Sequence, residues 1–188
     1  MDASKGPIIL DRNVEVDIGA LIKGPVYIGE NTKINPGAKL GGNISIGPVC
    51  KIGGELEDVI IQGYTNKQHD GFLGHAVIGE WCNLGAGTTN SDLKNNYSNI
   101  VVRGVNTGLQ FVGLMMGDHC KTAIGTLFNT GSVVGIGSLL FGKGLLPNEI
   151  KSFSWGVLRR WTSFESFLET AKAMMDRRNM EMSNTEEN

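Results

Sequence analysis

Every sixth residue from Leu10 onward is aliphatic: Leu10, Val16, Ile22, Ile28, Ile34, Leu40, Ile46 and Ile52. In a chain that is 40% hydrophobic, so long a run in one fixed phase arises by chance about once in 1,500 trials. Four residues after each of these stand Val14, Ala20, Val26, Thr32, Ala38, Ile44, Cys50 and Leu56, nearly all small or apolar. A period of six fits neither an amphipathic helix nor a plainly alternating strand. It suits short strands joined by tight turns, with the aliphatic residue pointing inward. Gly29, Gly41, Gly47 and Gly53 follow it where a turn must form. Roughly three such hexapeptides close one triangular coil, and stacked coils bury a continuous apolar column.

The phase is lost near Asp58 and resumes at Phe72, Ile78 and Leu84, with Ala76, Cys82 and Thr88 at the companion positions. It is lost again from Thr89 to Val112. A last run reads Met116, Thr122, Phe128, Val134 and Leu140, with Cys120, Thr126, Ser132 and Ser138 as companions. The pattern predicts roughly five to six coils, a column of about 25 Å at ~4.8 Å per coil. The polar stretch Ser91 to Asn99 reads as a protruding loop that continues into a hairpin over Ile100 to Phe111, its turn near Val105–Gly108. After Pro147 the pattern becomes helical: Thr162 to Glu165 forms a capping box, and Phe164, Phe167, Leu168, Ala171 and Met175 share one face. Arg177 and Arg178 suit the helix end, and residues 179–188 read as a fraying polar tail. The expected organisation is an all-β domain over 1–150, with a loop at about 90–111, followed by a helix and tail over 151–188.

Composition narrows the functions. Seventeen basic and nineteen acidic residues give a net charge of −2, which argues against nucleic acid or an anionic membrane as partner. No apolar run approaches membrane-spanning length and the start has no signal-peptide profile, so a cytoplasmic protein is expected. Cys50, Cys82 and Cys120 all fall on the small inward position and form no C-x-x-C pair, so they read as buried hydrophobes.

The stretch Lys67-Gln-His-Asp-Gly-Phe-Leu-Gly-His-Ala-Val-Ile-Gly-Glu-Trp-Cys-Asn-Leu-Gly-Ala-Gly-Thr88 resembles the acetyltransferase half of the bifunctional N-acetylglucosamine-1-phosphate uridyltransferases. In that family a histidine precedes a Leu-Gly by four residues, and an Ile-Gly repeat and Asn-Ile-Gly-Ala-Gly-Thr follow. Asn90 to Tyr97 and Ser152-Phe-Ser-Trp-Gly156 are similar to the C-terminal part of sugar nucleotidyltransferase-like proteins labelled glucose-1-phosphate thymidylyltransferases. The resemblance implies a left-handed parallel β-helix of the hexapeptide-repeat acyltransferases. It also implies a homotrimer with sites between subunits, acetyl-CoA as co-substrate, a sugar or sugar-nucleotide acceptor, and a possible upstream nucleotidyltransferase domain. No metal is expected.

His69 matches the family's catalytic histidine, and an imidazole suits the general base that deprotonates an attacking amine or hydroxyl. The family's phosphate-holding Lys and Arg and a Tyr near the histidine fall on Glu57, Asn35 and Phe72, and the Asn of its Asn-Tyr-Asp-Gly loop on Asp92. Losing both cations removes charge-assisted bonds to phosphate, so glucosamine 1-phosphate is disfavoured against an amine-bearing or polyhydroxylated acceptor. Lys94, Asn96 and Tyr97 are candidate pocket residues on the protruding loop. Ala123 and Gly125 leave little bulk along a coil groove for CoA, and Lys121 and Lys143 are candidate phosphate contacts. Three readings stand: an acyltransferase; a non-catalytic trimerising or regulatory β-helix of a nucleotidyltransferase; and a metal site of the γ-carbonic-anhydrase kind. The histidine order disfavours the third, since the close pair, His69 and His75, comes first and six apart.

Overall fold

The structure is a computed structural model and describes residues 1–157 and 160–182. The inward aliphatics and tight corners wind the chain into a left-handed parallel β-helix of eight coils with three faces. Face 1 stacks eight parallel strands, from Ile8–Leu10 and Val26–Ile28 through Ile60–Ile61 and Val77–Ile78 to Glu149–Ile150. Face 2 runs from Glu15–Val16 to Ser154–Trp155 and is closed by one antiparallel strand, Arg160–Trp161. Face 3 runs through Leu21–Ile22, Lys39–Gly41, Glu55–Glu57 and Phe72–Gly74, and continues as Thr89–Asn90 beside Leu127–Phe128. Ile28, Ile34, Ile46 and Ile52 are wholly buried, whereas Leu10 sits at the open end of the column and is exposed. Each buried aliphatic side chain contributes about 1.5–3 kcal/mol, so the six-residue repeat is the main source of stability. The three cysteines are buried filler, and burial pushes the Cys50 thiol up to about 11, far from a reactive thiolate.

The phase change at Asp58 is a change of coil length and not an interruption. Ile28 pairs with Ile46, eighteen residues on; Ile46 pairs with Ile61, fifteen on; Ile61 pairs with Ile78, seventeen on. A shortened corner moves the inward register without breaking the ladder, so Val59, Ile61, Thr65, Lys67 and Leu73 fill the column where the six-residue phase lapses. That is why there are eight coils and not the expected five to six. It also turns Phe72 outward and gives its inward place to Leu73.

The corner between faces 1 and 2 repeats one backbone conformation. Asn31, Val49, Tyr64, Trp81, His119 and Phe153 all adopt φ of 57–60° there, a left-handed geometry that costs a side chain roughly 1–2 kcal/mol. Stacking offsets part of this, since the Tyr64 and Trp81 rings lie 4.2 Å apart and nearly parallel, and His119 follows Trp81 at 6.2 Å. The C-terminal helix α1, Phe164–Asp176, docks on this ladder. Its Phe167 ring meets His119 at 5.6 Å and Phe153 at 5.1 Å, and Ala171 and Met175 are buried. The helix starts one residue later than the expected capping box: Ser163 is the N-cap and its hydroxyl accepts from the Ser166 N–H. Between Pro147 and the helix the chain adds further strands to the column, because Ile150 still points inward and pairs beside Val134. Residues 183–188 of the expected tail lie outside the described residues.

The second phase loss is a true excursion. Ile78 pairs with Met116, thirty-eight residues on, one coil plus a twenty-residue insertion. The insertion leaves face 3 after Asn90 and returns at Gly113. Its ends are stitched by bonds from the Val112 N–H to the Asp92 carbonyl and from the Gly113 N–H to the His75 carbonyl. The hairpin is present, but its strands are Val101–Val102 and Val105–Asn106. The turn falls on Arg103–Gly104, whose φ values of 48° and 80° match the tight two-residue turn that hairpins favour, and not on 105–108.

Candidate active site

The corner between faces 3 and 1 collects the unusual chemistry. His75 follows strand Phe72–Gly74, and the corner is tight enough to force it to φ 46°. Its Nδ1 lies 2.8 Å from Asp92 Oδ2, at the base of the excursion, and its Nε2 lies 3.7 Å from Asp58 Oδ2, on the coil below. The ring stacks on Phe111 at 5.0 Å from the returning limb. Asp58 is itself held by Asn43, whose backbone N–H and side-chain amide both donate to Oδ1 at 2.8 and 2.7 Å. Burial works against the Asp58 carboxylate, but the Asn43 bonds and the neighbouring imidazole outweigh it and hold the carboxyl below its usual range. Gly74 makes the approach possible: a Cβ there would run into the Asp92 carboxylate and the Phe72 ring. With Nδ1–H donated to Asp92, Nε2 is the nitrogen left to meet a substrate, with Asp58 at 3.7 Å and beyond hydrogen-bond reach. Such an arrangement can take a proton and stabilise the cation that results.

Of the residues singled out in the sequence, Glu57, Phe72 and Asp92 meet at this corner. Glu57 pairs beside Gly74 and its carbonyl accepts from the His75 N–H. His69 lies on the neighbouring corner, between faces 2 and 3, with its side chain exposed. The turn that carries it is fastened from inside the column. Lys67 occupies an inward position at 1% exposure, and its ammonium donates to the carbonyls of Gly53 and Asp70 at 3.2 Å and to that of His69. Burial lowers the Lys67 pKa to about 8, with Asp70 opposing the shift. Ala123 and Gly125 stack on this same corner, through the Gly125 N–H to Ala86 carbonyl and Gly87 N–H to Asp70 carbonyl bonds. Both are exposed, and Gly125 has open space where a Cβ would stand.

The remaining candidates lie elsewhere. Lys94 donates to the Asn99 carbonyl and Asn96 accepts from Ser98, so both shape the loop; they line a groove of about 610 Å³ against Asn129 and Asn148. Tyr97 is exposed at the loop tip and Lys143 is exposed on the surface. Asn35 donates to the Gln68 carbonyl. The ammonium of Lys121 turns away from Ala123 to the His119 carbonyl at 3.3 Å. His69, His75 and His119 stand at three different corners. Among the described residues no group of three or more His, Cys, Asp or Glu could hold a metal ion. His75 meets its two aspartates through different nitrogens, so the three do not converge on one point.

Sequence reasoning passed over His75. The available signal was indirect: the two irregularities of the repeat, at Asp58 and after Thr89, fall on the same corner once the coils are stacked, and His75 lies between them.

A triangular β-helix of stacked coils is a fold that the chain shares with a solved acyltransferase. The chain is similar to the bifunctional protein GlmU of Methanococcus maripaludis, 29% identical over 104 residues that make up 54% of this chain and 25% of the relative. It is also similar to the GlmU of Methanocaldococcus jannaschii, 30% identical over 101 residues, 52% of this chain and 25% of that one. The matched region thus spans about a quarter of the length of these curated relatives. Among solved structures, AntD, an N-acyltransferase from Bacillus cereus in complex with dTDP and 3-hydroxybutyryl-CoA, superposes with a TM-score of 0.55 at 13% identity, covering 92% of this chain and 91% of that one. That likeness is one of fold. No family model matches the chain.

Proposed function

We propose that this chain is a CoA-dependent acyltransferase domain that transfers an acyl group to an amine-bearing sugar or sugar nucleotide, and that it works as a homotrimer. The observation that carries the reading is the His75–Asp92 pair at 2.8 Å with Asp58 beyond it. The acceptor nitrogen attacks the thioester carbonyl as His75 Nε2 takes its proton. The carbon–sulfur bond then breaks, and the CoA thiolate takes the proton back from His75 and leaves as the thiol. The carboxylates of Asp58 and Asp92 flank the His75 ring, with Glu57 on the adjoining strand, and they attract an amino group and repel a phosphate. The bifunctional relatives and the N-acyltransferase of like fold support the same chemistry and a sugar-nucleotide setting.

His69, the position carried by family resemblance, is the competing base. It shares its corner with Ala123 and Gly125, which we assign to the pantetheine arm. The paired carboxylates favour His75, because a base needs an orienting group and His69 is exposed on its turn. Subunit contact is proposed through face 1. Its outward column runs Ile9, Tyr27, Ser45, Ile60 and Val77; all but Ser45 are apolar and 39–52% exposed, and an apolar strip of this kind marks an interaction surface. His75 borders that face, so a neighbour seated there would close the site.

Acetyl-CoA turnover against a panel of amino sugars and amino-sugar nucleotides tests the reading. His75→Ala should lower it by about 10²–10⁴-fold while acetyl-CoA binding survives. A fall of that size in His69→Ala with His75→Ala unaffected would move the base to His69. Absence of acetyl-CoA binding in a folded trimer would favour the non-catalytic scaffold.

A further inference from the structure

Face 2 carries a feature that the acyl-transfer corner does not use. Its outward residues stack coil upon coil as Lys33, Lys51, Asn66, Asn83 and Lys121. At the lower end Lys33 faces Glu15 at 3.5 Å and Asp17 at 3.7 Å. Above it the carboxylates stop. From Lys51 upward the column forms the floor of a groove of about 520 Å³, whose opposite wall is the second half of α1 and the residues after it, with Arg177 and Arg178. Among the described residues four cations and no carboxylate line this groove, in a chain whose net charge is −2. The Arg178 guanidinium is fixed by a 2.7 Å bond to Asn66 Oδ1, and Asn66 in turn donates to Asn83 at 3.3 Å. Lys121 is largely desolvated, which lowers its pKa, and its ammonium has a backbone carbonyl, that of His119, within reach. A buried cation without a counter-charge is costly, and so is holding four positive groups around one groove. An anion that spans them removes both costs.

We infer that the groove between face 2 and α1 is a second binding site, for a diphosphate-bearing small molecule such as a nucleoside diphosphate. A ligand with two linked phosphates matches cations on both walls, and arginine forks suit phosphate oxygens. The site is separate from acyl transfer. Face 2 lies opposite the corner that holds His75, and Lys121 directs its ammonium away from Ala123 and Gly125. The groove is therefore an effector or anchoring site, and the inference stands whether or not His75 is the base.

Equilibrium titration of the full chain with pyrophosphate and with ADP tests it. Saturable binding is expected, weakened at least ~10-fold in Lys121→Gln and in the double variant Arg177→Gln/Arg178→Gln. Lys33→Gln, outside the groove, should bind as the parent does, and His75→Ala likewise. ADP binding tighter than pyrophosphate assigns the site to a nucleotide; equal affinities assign it to the diphosphate alone. No binding of either probe overturns the inference, as does an equal loss in Lys33→Gln, which would show only diffuse attraction. Displacement of pyrophosphate by saturating acetyl-CoA would also overturn it, because the groove would then belong to the transferase site. The double variant alters residues at and beyond the end of α1, so its fold is expected to survive and its binding to be readable.

Discussion

Lys67 shows how one residue can serve both the column and a loop. The stem fills an inward position that elsewhere takes Ile or Leu, and the ammonium gathers the His69 and Asp70 carbonyls of the turn and the Gly53 carbonyl of the coil below. Nothing in a six-residue hydrophobic phase foretells a lysine there. Lys67→Met keeps the stem but takes the ammonium from the Gly53 and His69 carbonyls, while Asp70 keeps its bond from the Gly87 N–H. We expect it to destabilise the protein by about 1–3 kcal/mol at pH 7, read from the denaturant midpoint. The ammonium also ties stability to pH. Its pKa falls from 10.5 in the open chain to about 8 in the fold, so between those values the unfolded chain holds more protons and stability rises with pH. That rise should be present between pH 8 and 10 in the parent and smaller in Lys67→Met. Equal slopes would show that Lys67 is not titrating in this window. Gly74 is the other residue on which the site depends. Gly74→Ala would push Asp92 away from His75, and loss of turnover without loss of acetyl-CoA binding is the expected result.

The elements were legible to different degrees, for reasons the packing supplies. Ile22 to Ile52 kept a strict phase because consecutive coils there have equal length, so period alone identified the strands and the buried cysteines. From Asp58 the coil length changed, and a fixed period mistook a shorter corner for a gap. The excursion was visible as polarity, but its turn was set by the left-handed pair Arg103–Gly104 and not by Asn106 and Gly108, which follow it. Helix α1 was visible as a face; the rings it meets were not, because they belong to corners of separate coils. The site divided likewise: Glu57, Phe72 and Asp92 could be carried over residue by residue, whereas His75 became visible only when Asp58 and Asp92 were brought onto one corner. Docking of α1 is testable on its own. Gly137 adopts φ 65°, and a Cβ there would meet Phe167 at 2.8 Å and Phe153 at 2.9 Å. Gly137→Ala and Phe167→Ala should each release the helix, with a loss of helical circular dichroism and faster proteolysis beyond residue 160, while the melting of the column changes little. A collapse of the column transition would mean that α1 is part of the folding core.

At the scale of the whole molecule, the column leaves an apolar strip on face 1, a carboxylate-ringed histidine beside it, and a cationic groove on the opposite side. In the proposed trimer, contact through face 1 covers the strip. Tyr27→Glu with Ile60→Glu should then shift sedimentation equilibrium of the 20.2 kDa chain from trimer to monomer without unfolding it, and an unchanged mass would place the contact on another face. The claim on which the account rests is that this column binds an acyl-CoA for transfer beside His75. Calorimetric titration of acetyl-CoA into the folded parent protein tests it most directly. Saturable binding at one site per chain, retained in His75→Ala and lost in the monomeric face 1 variant, is the predicted result. A folded trimer that releases no binding heat and shows no saturation with acetyl-CoA would contradict it.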